Sequence, residues 1–242
     1  MCLLAFTISA CGDDDESSSA SSTETSDGIR VAIVAPSAEN DLAFSQSIVD
    51  GVSKLTGVSE TAITPGTFIV EEAATAIRDY AEAGYDLVIA HGSQYGGPLQ
   101  EIAPDFPDTA FAWGTAVDTF GLDNVSAYTA ASNEGGYVLG VIAAEVGESI
   151  GIVGPIAVGD AKLYVDGFTL GAESGGAEVS VTYIESFADV ALASETAAAF
   201  VSNGADVLTG TAQMTVGAIG VAEQEGLLWF GTQSNQTSAA AD

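Results

Sequence analysis

The side chains able to do chemistry in this chain are amides, hydroxyls, carboxylates and aromatic rings, and their arrangement favours holding a molecule over transforming one. There is one histidine, His91, and two cysteines, Cys2 and Cys11, so a histidine-based triad and a zinc cluster both lack members. No nucleophile paired with a base stands out. The glycine-rich stretch 92–97 has neither the Gly-Lys-Ser/Thr of a triphosphate loop nor the Gly-x-Gly-x-x-Gly of a dinucleotide loop. No cofactor and no metal are therefore expected. His91 follows an apolar run and reads as a polar group hydrogen-bonded at the end of a strand.

The elements that must position these groups alternate along the chain. Short β-branched runs at 29–35, 67–71, 85–90, 109–113, 125–129, 149–153, 178–184, 205–208 and 227–230 read as strands. Helical patterns fill 41–55, 70–83, 133–146, 161–174, 190–202 and 215–225. Such alternation is the signature of βαβ units and a parallel sheet. The joint Gly84-Tyr85-Asp86-Leu87-Val88 returns as Gly204-Ala205-Asp206-Val207-Leu208, which predicts two related lobes at 28–130 and 131–242. In an open parallel sheet, ligands bind beyond the carboxyl ends of the strands. The segments found there, among them 36–44, 91–95, 154–162, 186–189, 209–213 and 231–236, supply the candidate contacts Asn40, Asp41, Phe44, Ser45, Ser93, Tyr95, Phe187, Asp189, Gln213, Gln233 and Asn235. Their chemistry suits a small neutral polar ligand.

Charge narrows the partners. Against 34 Asp and Glu stand 4 Lys and Arg, a formal net charge of -30, which excludes nucleic acid as a partner because phosphate binding needs a basic face. Self-repulsion of this size is relieved by salt, and a marine or hypersaline source is expected.

Both cysteines lie at the extreme N-terminus, where they report targeting rather than folding. The apolar start ends in Ile8-Ser9-Ala10-Cys11, which resembles a lipobox, with residues 1–11 as a signal peptide and Cys11 as the lipidated residue. Residues 12–27 are acidic and Ser/Thr-rich, too poor in apolar surface to offset the entropy of ordering, and read as a tether. A membrane partner, reached through the lipid anchor, and a place on the outer face of the cell membrane follow from this reading. The h-region is short and carries no preceding Lys or Arg, which points to a start upstream of Met1.

The post-strand segments resemble the basic membrane protein family, the purine nucleoside receptor A-like lipoproteins of ABC importers. The matching residues are Asn40-Asp41-Leu42-Ala43-Phe44-Ser45-Gln46, the Gly84 joint, Glu134-Gly135-Gly136-Tyr137-Val138-Leu139-Gly140, Gly167-Phe168-Thr169-Leu170-Gly171-Ala172 and the Gly204 joint, in order across nearly all of 29–236. The resemblance implies a type I periplasmic-binding-protein fold of two Rossmann-like lobes, a nucleoside or related ligand and an ABC permease as partner. It also implies that Phe44 and Phe187 stack on the two faces of a nucleobase and that Asp41 accepts hydrogen bonds from the ligand. The family's Asn after the stacking Phe is Ser45 here, and its late Gly-x-Asp-Ser-Asp-Gln is Gly231-Thr232-Gln233-Ser234-Asn235-Gln236. A type I fold should cross back to finish its first lobe, so a C-terminal part is expected to be missing.

Other readings stay open at this point. Phe44 could belong to the core side of an amphipathic helix with Leu42 and Ile48. The same fold could serve a simple-sugar-binding protein or an extracytoplasmic sensor that signals to a partner.

Overall fold

The computed structural model describes residues 28–240. The expected signal peptide, Cys11 and tether lie outside the described residues. The chain forms two α/β lobes, each a parallel sheet with helices on both faces. In the first lobe the strands β1 (Ile29–Val34), β2 (Val58–Thr64), β3 (Leu87–Ala90), β4 (Ala110–Gly114) and β5 (Val125–Tyr128) pair in the order β2-β1-β3-β4-β5. In the second, β6 (Ser149–Gly154), β7 (Glu178–Tyr183), β8 (Val207–Gly210) and β9 (Leu228–Phe230) pair as β7-β6-β8-β9. Every pairing is parallel. The chain order reverses beside β1 in one lobe and beside β6 in the other, so each sheet opens a crevice at its switch point.

The central strands are continuous apolar runs, as strands covered on both faces should be. Val31 and Ile33 of β1 pack with Val52 of α1 (Phe44–Val52) on one face, whereas Ala32 and Val34 face Ile77 of α2 (Val70–Glu82) and Leu99 of α3 (Gly96–Ile102). In the second lobe, α4 (Ser132–Ala144) and α5 (Gly159–Ser174) cover one face with Phe168 at its centre. Helices α6 (Val190–Ser202) and α7 (Thr215–Glu225) cover the other through Ala193, Ala197 and Ala218.

The two repeated joints do the same work. Gly84 and Gly204 end their helices with φ of 74° and 93°, which side-chain-bearing residues resist. The following aspartates then fasten the start of the neighbouring internal strand, β1 or β6. Asp86 accepts from the amide of Arg30 at 2.7 Å, and Asp206 accepts from the amides of Glu148 and Ser149 at 3.0 Å. The family-like glycines of α4 and α5 are structural too. A Cβ on Gly171 would lie 2.1 Å from the carbonyl of Tyr137, and one on Gly140 2.2 Å from that of Phe168, so the two helices touch backbone to backbone.

Three expectations need correction. Residues 67–71 are not a strand: Thr67 hooks onto the carbonyl of Ala35 at 2.8 Å, and α2 has begun by Val70. The strand is β2, whose mixed sequence VSETAIT lies on the sheet edge, half exposed, and so lacks the apolar run that marks the buried strands. Helix α1 starts three residues later than residue 41, because the carboxylate of Asp41 accepts from the amides of Ala43, Ser45 and Gln46 and forms the turn that precedes it. Helix α3 was hidden by its glycines and Pro98, which count against a helix in sequence yet sit in its first turn, where Pro costs little.

Candidate functional site

Between the lobes lies a narrow cleft of about 80 Å³, lined by residues of both lobes. Its wall is made almost wholly of residues that follow a strand. Pro36 and Phe44 come after β1, Phe68 after β2, Ser93 and Gln94 after β3 and Thr115 after β4; Asp160 and Ala161 follow β6, Phe187 follows β7, Ala212 and Gln213 follow β8, and Gln233 follows β9. Both switch points thus face one another across a single space. Behind it, toward the crossovers between lobes, a larger chamber of about 490 Å³, inside the roughly 300–1,000 Å³ typical of small-molecule sites, shares Phe44, Thr115, Asp160 and Gln233 with the first.

Of the residues expected from sequence, Phe44, Ser93, Phe187, Gln213 and Gln233 line this cleft. The other six are elsewhere. Asp41 is spent on the turn before α1, accepting from Ser37 as well as three amides, and Ser45 is fully buried with its hydroxyl bonded to Ser37. Tyr95 is a core residue: it is fully buried, its hydroxyl meets Thr67 at 2.9 Å, and burial pushes its pKa up to about 12. Asp189 caps α6 by accepting from the amide of Leu192 at 2.9 Å. Asn40 is exposed outside the cleft, and exposed Asn235 accepts from the amide of Thr237 at 3.1 Å.

Phe44, the first residue of α1, presents its ring to both chambers while the imidazole of His91 lies against it, centroids 3.9 Å apart and 16° from parallel. The hydrogen bonds of His91 fix its tautomer. Nε2 is 3.0 Å from the carbonyl oxygen of Phe44, which can only accept, so Nε2 carries the hydrogen and Nδ1 accepts from the Tyr128 hydroxyl at 2.7 Å. Burial lowers the imidazole pKa to about 4, opposed more weakly by the Phe44 carbonyl and by Asp41, so the ring is neutral near pH 7. His91 is therefore a support for Phe44.

The backbone around the cleft is held in unusual conformations. Among the described residues six non-glycine residues have positive φ, and three of them, Thr115 (57°), Ala212 (71°) and Gln233 (71°), line the cleft, while Leu42 (56°) lies two residues from Phe44. Such strain concentrates at ligand clamps and has to be over-determined by surrounding bonds. Here the Gln233 side chain accepts from the amide of Ala212 at 3.0 Å, and the 234–236 segment reaches across to the first lobe. Ser234 donates to the carbonyl of Ala43 at 3.0 Å, and buried Gln236 donates to that of Leu42 at 3.1 Å.

Sequence reasoning missed Phe68, Gln94, Thr115 and Asp160 as lining residues. Phe68 was hidden by the misplaced strand, and Asp160 and Thr115 sat in post-strand segments with nothing to single them out. Among the described residues no group of His, Cys, Asp and Glu could hold a metal ion. Gly147-Glu148-Ser149-Ile150-Gly151 has the letter spacing of a nucleophile elbow, but Ser149 opens β6 instead of a strand-to-helix turn, and His91 belongs to the other lobe.

The sequence profile of the family described as Bmp, ABC transporter substrate-binding protein PnrA-like, matches residues 29–242. The chain belongs to this family. A purine-binding protein of Brucella abortus is 33% identical over 175 residues, covering 71% of this chain and 49% of that protein. A transcriptional activator, Med of Bacillus subtilis, is 27% identical over 183 residues, 74% of this chain and 57% of that one. Among solved structures, an ABC transporter solute-binding protein from Conexibacter woesei superposes with a TM-score of 0.73 at 26% identity, covering 88% of this chain and 72% of that one. The fold is that of type I periplasmic binding proteins. The chain spans about half the length of the first two relatives. The family is one of solute-binding proteins, not an enzyme class. Among the described residues no helix is long and apolar enough to cross a membrane.

Proposed function

We propose that this protein captures a nucleoside, most simply a purine nucleoside, between its lobes and presents it to the permease of an ABC importer. The observation that carries the reading is the placement of Phe44 and Phe187 on opposite lobes around one cavity. Two rings brought together by lobe closure suit a planar heteroaromatic ligand, since aromatic stacking contributes about 1–3 kcal/mol per base. Gln94, Gln213 and Gln233 add amides that both donate and accept, as the edge of a base requires. The purine-binding relative supports the same ligand class. Contacts from both lobes would draw the open form toward the closed one, and the permease would read the closed surface.

Anchoring through a lipid on Cys11 belongs to the same proposal and rests on Ile8-Ser9-Ala10-Cys11. Cell-membrane partition of the expressed chain, lost in Cys11→Ser, tests it.

A thermal-shift panel of nucleosides, free bases and simple sugars tests the ligand. A ligand at 100 times its Kd stabilises by about 2.7 kcal/mol. Response to sugars alone would discard the nucleobase reading and favour a sugar-binding protein. A second reading, an extracytoplasmic sensor, is favoured by the likeness to the Bacillus subtilis activator; ligand binding without any coupled uptake would support it.

A further inference from the structure

The two chambers meet at a waist shared by Phe44, Thr115, Asp160 and Gln233. The front chamber carries the three rings of Phe44, Phe68 and Phe187, whereas the rear one sets Thr129, Ser132 and Thr232 among apolar residues such as Ile48 and Leu139. Among the described residues, Asp160 is the one acidic side chain in either wall. It sits in the first turn of α5, where burial raises its pKa above the ordinary carboxylate value, opposed by the neighbouring backbone amides. An ionised carboxylate offers about four acceptor sites, which gives Asp160 capacity for a ligand. No Lys or Arg lines either chamber, and the ion pairs among the described residues are Arg30–Glu60, Arg78–Asp105 and Lys162–Asp166. A half-buried acceptor without a cation, facing a cavity, is completed by a partner that brings donors of its own.

We infer that Asp160 is a specificity-determining ligand contact, accepting hydrogen bonds from hydroxyl groups of a ligand whose planar ring occupies the front chamber and whose hydroxylated part passes the waist into the rear one. This rests on the nucleoside reading above and adds to it a residue and an orientation. A free base, which brings no hydroxyl groups to Asp160, should bind more weakly than the nucleoside. The neutral Asn at this position keeps the shape but trades one acceptor oxygen for donors, so it distinguishes hydrogen bonding from packing.

The test is calorimetric titration of the wild-type protein and of Asp160→Asn with a purine nucleoside, its 2′,3′-dideoxy analogue and the free base. The wild type should bind the nucleoside at least tenfold more tightly than the dideoxy analogue. Asp160→Asn should weaken the nucleoside by about tenfold and leave the dideoxy analogue and the base within twofold, with an unchanged melting temperature showing that the fold is intact. Nucleoside binding unaffected by Asp160→Asn would overturn the inference while leaving the nucleoside reading in place. An equal loss for the free base would overturn it as well, by assigning the carboxylate to the base edge. Failure of the wild type to bind any nucleoside or base would instead sink the nucleoside reading, and this inference with it. Should Asp160→Asn misfold, Asp160→Ser is titrated with the same three ligands and judged by the same outcomes.

Discussion

The imidazole of His91 backs the ring of Phe44 at 3.9 Å and holds that residue's carbonyl through Nε2, so one histidine fixes both the plane and the backbone of the candidate stacking residue. The imidazole takes one face of the phenyl ring, and a ligand must use the other. A second ring contact, 6.1 Å to Tyr128, and the bond to its hydroxyl tie this support to the last strand of the first lobe.

Replacing His91 by Gln preserves a donor for the Phe44 carbonyl and an acceptor for Tyr128 while removing the ring. Aromatic pairs contribute about 0.5–1.5 kcal/mol beyond burial, so ligand affinity should fall by up to about tenfold. Calorimetry on His91→Gln checks this, and an unchanged Kd would show that Phe44 needs no support.

Acid should act through the same residue. The folded-state pKa of about 4 lies below the ordinary 6.5, so between these values the unfolded chain binds the proton and the folded one does not. Stability therefore rises with pH across this window and is lost as pH falls from 6.5 toward 4, by about 2 kcal/mol between pH 7 and 5. Urea midpoints at the two pH values should fall further for the wild type than for His91→Gln. Equal falls would contradict the burial of a neutral imidazole.

How much of this was legible beforehand depended on whether a residue's role was local. The Gly84 and Gly204 joints could be read as equivalents because their glycine, aspartate and apolar strand repeat in order. The pairing of Asp86 with Arg30 and of Asp206 with Ser149, 56 and 57 residues apart, is what gives the repeat its meaning, and sequence does not display it. Phe44 and Phe187 were found because a resemblance pointed to them. Asp41 was assigned to the ligand by the same resemblance, but in the folded chain its carboxylate is occupied by backbone amides. Edge strand β2 failed for a physical reason: a strand with one neighbour and a wet face needs no apolar run.

Helices α4 and α5 offer a test of packing. Because a methyl on Gly171 would overlap the carbonyl of Tyr137, Gly171→Ala should destabilise by about 3 kcal/mol, the upper end for overpacking. Denaturant unfolding measures this, and a loss under 0.5 kcal/mol would show that the helices can move apart freely.

Salt should stabilise the chain strongly, given its formal net charge of -30. Raising NaCl from about 0.1 to 1 M shortens the Debye length from about 10 to 3 Å and should raise the melting temperature. An equal rise in sucrose, which excludes itself from the surface without screening charge, would contradict an electrostatic cause.

Phe44 and Phe187 should close on a nucleobase from opposite lobes. Titration of a purine nucleoside into the wild type, Phe44→Ala and Phe187→Ala tests it most directly. The wild type should bind saturably and each variant should lose at least tenfold in affinity, with both still folded. Nucleoside binding that survives both substitutions unchanged would contradict it.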